Sequence, residues 1–204
     1  MAKETALSEP VAPPTPGPQH ELLHFLAQRG KDISPLLIIT HNHPDPDCLA
    51  SAVALAFLAE KLHGIKTRIA YSGIVGRVEN QALVRVLRLP VHSLREGEVQ
   101  RYQHVALVDT QPPFQNNPFP KNRKATLVVD HHPRNKRTDA DLLVIDPAYG
   151  ATSTLLTEAV QASGLQPPAK LSTALLYGII SETQNLGREA GERDINAYLW
   201  LLKI

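Results

Sequence analysis

One cysteine, Cys48, occurs in 204 residues. A lone thiol excludes an internal disulfide and with it the small cross-linked scaffolds of secreted proteins. It fits a reducing compartment, so the cytoplasm is the expected location. Charge of either sign is not in excess: 21 Lys and Arg stand against 20 Asp and Glu, a formal net charge of +1. That balance argues against a surface built to attract nucleic acid or an anionic membrane. A phosphate-bearing substrate stays open, because bound metals supply positive charge locally. Runs of about 18 apolar residues are missing, which argues against a membrane span. The N-terminus has no basic start followed by an apolar stretch, which argues against secretion.

What is there begins with a proline-rich tail, residues 1–18, expected to be disordered or polyproline-like. Apolar residues make up 43% of the chain, enough for one core of ordinary size across 19–204. Apolar periodicity predicts helices over "HELLHFLAQRG", "DCLASAVALAFLAEKLHG", "ENQALVRVLRL", "TSTLLTEAVQASG", "KLSTALLYGIISET" and "ERDINAYLWLLKI", with Gly64 ending the second. Short continuous apolar runs predict strands at Leu36–Thr40, "TRIAYS", "HVALVDT" and "ATLVVDHH", and more weakly at "DLLVIDP". Strands alternating with helices imply an α/β fold, a parallel β-sheet flanked by helices on both faces.

In such sheets functional groups gather at the carboxyl ends of the strands. Three strands here run straight into polar clusters. Thr40 leads to His41, Asp45 and Asp47; Val108 leads to Asp109; Val129 leads to Asp130, His131 and His132. Taken singly, each cluster has a plain reading: "HNHPDPD" as a polar turn with Asp47 capping the next helix, "VDT" as a cap or turn, "DHH" as a surface loop. Taken together they point to metal. Massed carboxylates repel one another unless a proton or cation intervenes, and mixed His and Asp ligands suit manganese, iron or zinc. The number of donors exceeds the needs of one ion and matches a two-metal site about 3.5–4 Å across, suited to phosphoryl chemistry.

"HNHPDPDCLAS", "VDT", "DHHPRN", "DPAYGATSTLL" and "GIISET" occur in the order and approximate spacing of the DHH phosphoesterase superfamily, which this sequence resembles from Leu36 to Ile204. That superfamily includes RecJ-like exonucleases, NrnA-like oligoribonucleases with 3′-phosphoadenosine 5′-phosphate phosphatase activity, exopolyphosphatases and family II pyrophosphatases. The NrnA-like branch is the most similar. The resemblance implies one metal held by His41, Asp45 and Asp109, and a second held by Asp47, Asp109, His131 and Glu182, with Asp109 bridging. It implies Asp130 as the partner that orients a histidine, and His132 as the group facing the substrate phosphate or leaving oxygen.

Two positions depart from the family pattern. Glu182 stands where aspartate is usual, and its extra methylene moves the carboxylate by roughly 1.5 Å. Pro46 replaces a glycine, fixing φ and removing an N–H. The resemblance also implies a second, DHH-associated domain with a Gly- and His-rich substrate motif. No such segment occurs here, so the expected organisation is the catalytic domain alone, either as a truncated form or a natural short one. Any self-association into a homodimer is then expected at "LWLLKI".

Other residues carry weaker readings. His43, Arg134 and Asn135 are substrate-binding candidates, with Lys136 and Arg137 beside them. Arg77 and Asn80 stand at a helix start where an anion could bind. Ser153 reads as a cap, and Cys48 as a small core residue. The function expected is hydrolysis of phosphoester bonds in nucleotides or short oligonucleotides by two divalent ions, Mn2+ first among them and Mg2+, Co2+ or Fe2+ as alternatives. The rival readings are a pyrophosphatase or exopolyphosphatase, and a metal- or nucleotide-binding regulatory module.

Overall fold

The structure is a computed structural model that describes residues 17–204. Most of the expected proline-rich tail therefore lies outside the described residues. Its last position, Pro18, is the first residue of a helix, where a missing N–H costs nothing.

In chain order the elements are α1 (Pro18–Arg29), β1 (Leu36–Ile39), α2 (Pro46–His63), β2 (Thr67–Tyr71), α3 (Val78–Leu87), β3 (Val91–Ser93), α4 (Glu98–Arg101), β4 (His104–Val108), β5 (Ala125–Asp130), β6 (Ala140–Ile145), α5 (Thr152–Ala162), α6 (Ala169–Glu182) and α7 (Glu192–Leu201). The expected helices and strands are all present. Two short elements, β3 and α4, have no counterpart in the expected set. β3 has three partly exposed residues, too few to show a period. Gly64 ends α2 as expected, at φ 64°, with its N–H on the Ala59 and Glu60 carbonyls.

All six strands are parallel, in the order β3-β2-β1-β4-β5-β6. β1 is central and wholly buried, pairing with β2 on one side and β4 on the other. The chain steps outward from β1 to β3, then returns to β4 on the opposite flank. This reversal opens a crevice beyond the carboxyl ends of β1 and β4, the position where open α/β sheets hold ligands. The motifs after β1 and β4 both begin there.

Alternate residues of each central strand enter two cores. Leu36, Ile38, Ala106 and Val108 pack under α1, α2, α3, α5, α6 and α7. Leu37, Ile39, Val105 and Leu107 face the other way, where Val99 of α4 and Phe119 complete the cover. That second cover is thin in helix and rests on the 110–124 connection, which hydrogen-bonds to itself. Asn117 donates to the Thr110 hydroxyl and to the Gln111 carbonyl, and Lys121 Nζ to the Pro112 carbonyl. Among the described residues no helix is long and apolar enough to cross a membrane. Exposed apolar side chains include Ile195, Leu199, Leu202 and Ile204 at and beyond α7.

Candidate metal centre

The first motif folds as a loop closed by the start of α2. Asp45 is the N-cap of that helix: its Oδ1 accepts the Cys48 N–H at 3.0 Å, leaving Oδ2 toward His41 Nε2 at 3.5 Å. The cap thus falls two residues before Asp47, the residue a simple turn would have used. Pro46 sits at the first helical position, where its fixed φ suits and no N–H is needed. This explains how proline replaces glycine there. Asp47, in the first turn, is fully buried. Its oxygens accept the opening N–H groups of α5, from Ser153 at 2.7 Å and Thr152 at 2.9 Å. A carboxylate against two helix N-terminal amides is fixed in place by hydrogen bonds and by the helix dipole.

Asp109 follows β4 with φ 59°, an uncommon conformation for a non-glycine residue. Its side chain is 3% exposed. Oδ1 accepts the Thr152 hydroxyl at 2.7 Å. Oδ2 faces His41 Nε2 at 3.6 Å, and Oδ1 faces His131 Nε2 at 3.6 Å. Asp130 closes β5 and accepts from two directions: His132 Nδ1 lies 2.8 Å from Oδ1, and Gln111 Nε2 donates to Oδ2 at 2.7 Å. His131 is oriented by Nδ1 against the Tyr149 carbonyl at 3.2 Å. Its Nε2 is buried and has no hydrogen-bond partner.

Two compact donor groups result: His41, Asp45, Cys48 and Asp109, and Asp109, His131 and His132, with Asp109 in both. Asp47 Oδ2 lies 4.0 Å from His131 Nε2, at the edge of the second. The separations of 3.5–4.0 Å among His41, Asp45, Asp47, Asp109 and His131 exceed a charge-assisted hydrogen bond. Ligand atoms on one ion, with bonds of about 2.1 Å, stand roughly 3.4 Å apart at the tetrahedral angle. The donors therefore converge on shared space rather than on one another. Together with the orphaned His131 Nε2, this spacing fits divalent cations.

The electrostatics agree. Burial, then the neighbouring Asp47 and Asp45, holds the Asp109 carboxyl well above the usual range. Burial also raises Asp47, with His131 opposing it. Burial raises Glu182, reinforced by Asp47 and Asp45. Burial would lower His41, but its pairing with Asp45 outweighs this and raises it, while His41 in turn outweighs burial at Asp45 and lowers it. His132 is raised by its hydrogen bond to Asp130 against burial. Burial drives the Cys48 thiol well up, and it donates to the Asp45 carbonyl. A cation is the charge this cluster lacks.

The other expected site residues fall around this centre. Glu182 is half-buried at the end of α6, outside both compact groups, and pairs with Arg188 at 3.5 Å. His43, at φ 56°, is exposed; its Nδ1 accepts the Ile74 N–H at 3.3 Å. Arg134 is exposed. Asn135 serves its own loop: its N–H donates to Gln111 Oε1 and its Oδ1 accepts the Arg137 N–H. Among the described residues neither makes a hydrogen bond or ion pair to the clustered donors. Thr152 and Gln111 are the residues that sequence reasoning missed. Each is a single polar residue outside a repeating pattern, and the only available signal was position, directly after "GA" and "VDT".

Residues 35–179 match the family model described as the DHH family, N-terminal domain. An uncharacterised protein of Methanocaldococcus jannaschii is 36% identical over 168 residues, 82% of this chain and 34% of the relative. A protein of Lactobacillus delbrueckii subsp. bulgaricus, provisionally named a manganese-dependent inorganic pyrophosphatase, is 27% identical over 153 residues, 72% of this chain and 47% of its own. A Methanococcus jannaschii crystal structure, provisionally described as a family II inorganic pyrophosphatase, superposes with TM-score 0.64 at 22% identity, covering 83% of this chain and 56% of that one. An exopolyphosphatase-related protein from Bacteroides fragilis gives TM-score 0.60 at 11% identity, over 90% and 56%. These two structures share the fold. The chain thus spans between 34% and 56% of the lengths of these relatives. With its motifs at the carboxyl edge of a parallel sheet and its family match over residues 35–179, the chain belongs to the DHH family.

Proposed function

We propose that this chain is the catalytic part of a metal-dependent phosphoric ester hydrolase that works through two divalent cations, Mn2+ in first place. One observation carries the reading: Asp109 is shared by two donor groups while the buried His131 Nε2 beside it has no protein partner. His41, Asp45 and Asp109 would hold one cation. Asp109, Asp47 and His131 would hold the other, and Glu182 would join by releasing Arg188. Such ions supply Lewis-acid polarisation of a phosphoryl oxygen and activation of water.

The chain's own groups do the rest. Asp130 anchors His132 Nδ1, and the ring remains 45% exposed at its side chain. Its raised pKa favours the imidazolium, which suits donation of a proton to the leaving oxygen. Gln111 fixes Asp130 from behind. Asp47 is held by α5, so the second donor group keeps its shape before a ligand arrives.

The substrate we favour is a nucleotide or short oligonucleotide, on the likeness of "HNHPDPDCLAS" and "DHHPRN" to the NrnA-like branch. A pyrophosphatase reading is supported equally by the relatives named for that activity. The lone, buried Cys48 supports action in the cytoplasm. The test is an assay with Mn2+ against 3′-phosphoadenosine 5′-phosphate, short RNA and pyrophosphate. Turnover of the first or second supports the nucleotide reading; turnover of the third alone supports the rival. Metal uptake with no turnover of any would overturn both in favour of a regulatory module.

A further inference from the structure

A cleft of about 450 Å³ adjoins the metal centre, with Asp45 and Glu182 in its lining. Two cations, Arg77 and Arg188, also line it, with the uncharged polar side chains of His43, Asn80, Ser181 and Gln184. Arg77 is the N-cap of the ten-residue helix α3 and makes no side-chain cap, so the first amides of that helix are left for another acceptor. Arg77 has no ion-pair partner among the described residues. Asn80, in the first turn, is 7% exposed, lines the cleft, and its side-chain amide makes no hydrogen bond among the described residues. Its amide atoms are not wholly enclosed, so they are open to a ligand in the cleft. His43 is held in position: Nδ1 accepts the Ile74 N–H, and a Cβ on Gly73 would come within 2.7 Å of the ring. With Nδ1 accepting, Nε2 carries the proton.

Resting on the metal-dependent reading, we propose that this cleft is a subsite for a second phosphate group of an organic phosphoester, separate from the phosphate under attack. Arg77, Asn80 and the α3 amides receive it, and His43 and Arg188 complete the donors. The volume falls within the range of pockets for small organic ligands, so the cleft accommodates the substrate body as well. A nucleoside bisphosphate and an oligonucleotide share the required chemistry, the first through a terminal phosphate and the second through an internal one.

Equilibrium dialysis of the full chain with Mn2+ tests this, using AMP and non-hydrolysable analogues of adenosine 3′,5′-bisphosphate, a 5′-phosphorylated dinucleotide and pyrophosphate as probes. Losing one charge-assisted contact should cost about tenfold in affinity. Arg77→Gln and Asn80→Ala should therefore weaken bisphosphate binding about tenfold and leave AMP within about twofold. A dinucleotide affected like the bisphosphate supports the subsite with an internal phosphate as occupant. Equal losses for bisphosphate, AMP and pyrophosphate, or no loss at all, would overturn it. Arg77 is exposed, so its variant decides the matter should Asn80→Ala fail to fold by circular dichroism. Mn2+ uptake, measured in parallel, should be unchanged in both. Absent uptake by the wild-type chain defeats the metal reading, whereas the bisphosphate preference reports on the cleft separately.

Discussion

At the scale of single residues, Asp109 bears the most. It adopts φ 59° without being glycine, and it lies in both donor groups. Backbone strain of this kind costs of order 1–3 kcal/mol and persists where the surroundings enforce it. Asp109→Asn should reduce uptake of both cations, whereas His41→Ala should chiefly weaken one. Mn2+ stoichiometry by calorimetry distinguishes the two, and equal, negligible losses would contradict the shared role. Gln111 acts through Asp130 on His132. Gln111→Leu should lower kcat by about tenfold to a hundredfold, as loss of an oriented partner does, and shift the alkaline limb of the pH–rate profile downward. An unchanged profile would reduce Gln111 to a loop staple. The donors were legible in the sequence because each follows an apolar strand. Thr152 and Gln111 were not, because a hydroxyl or amide that acts by reaching a distant carboxylate leaves no local pattern.

At the scale of elements, the decisive contact is where α6 crosses α2 and α5. Gly178 lies there: a Cβ would collide with Ser153 Oγ and stand 3.3 Å from the Asp47 backbone. Ser153 in turn bonds Ser51 and donates its N–H to Asp47. Gly178→Ala should destabilise the fold by about 1–3 kcal/mol through overpacking, and weaken cation binding as Asp47 is pushed aside. Thermal melts with and without Mn2+ check both, and a melt unchanged in either condition would show slack at this crossing. The long helices were legible from their apolar period, and the central strands from short apolar runs bounded by polar clusters. The three residues of β3 escaped because an edge strand that short has no period. The unequal cover of the two sheet faces escaped because it depends on a non-helical connection.

At the scale of the whole molecule, the pH response follows from the site. Asp47, Asp109 and Glu182 have raised folded-state pKa values, as do His41 and His132. A raised group contributes stability that is complete below its unfolded value and is lost as pH rises through its folded one. Without metal, the melting temperature should therefore fall as pH rises past the unperturbed carboxylate value of about 4, and again past the unperturbed histidine value of about 6.5. Asp45 and Glu98 are lowered and act oppositely, their contributions fading only as pH falls below about 4. Saturating Mn2+ should reverse the trend, because cation and proton compete for the same atoms. A metal-free melt that rises with pH past the carboxylate and histidine values would contradict the site's electrostatics.

The connection between β4 and β5 holds Gln111 at one end and Phe119 further along. Surface links usually tolerate insertion and exchange their amides quickly. This one joins the edge that carries the donor groups to the underside of the sheet, so loosening it exposes the lower core and frees His132 together. Its amides should exchange with solvent as slowly as those of the strands it joins, and an added residue there should be felt at both ends of the molecule.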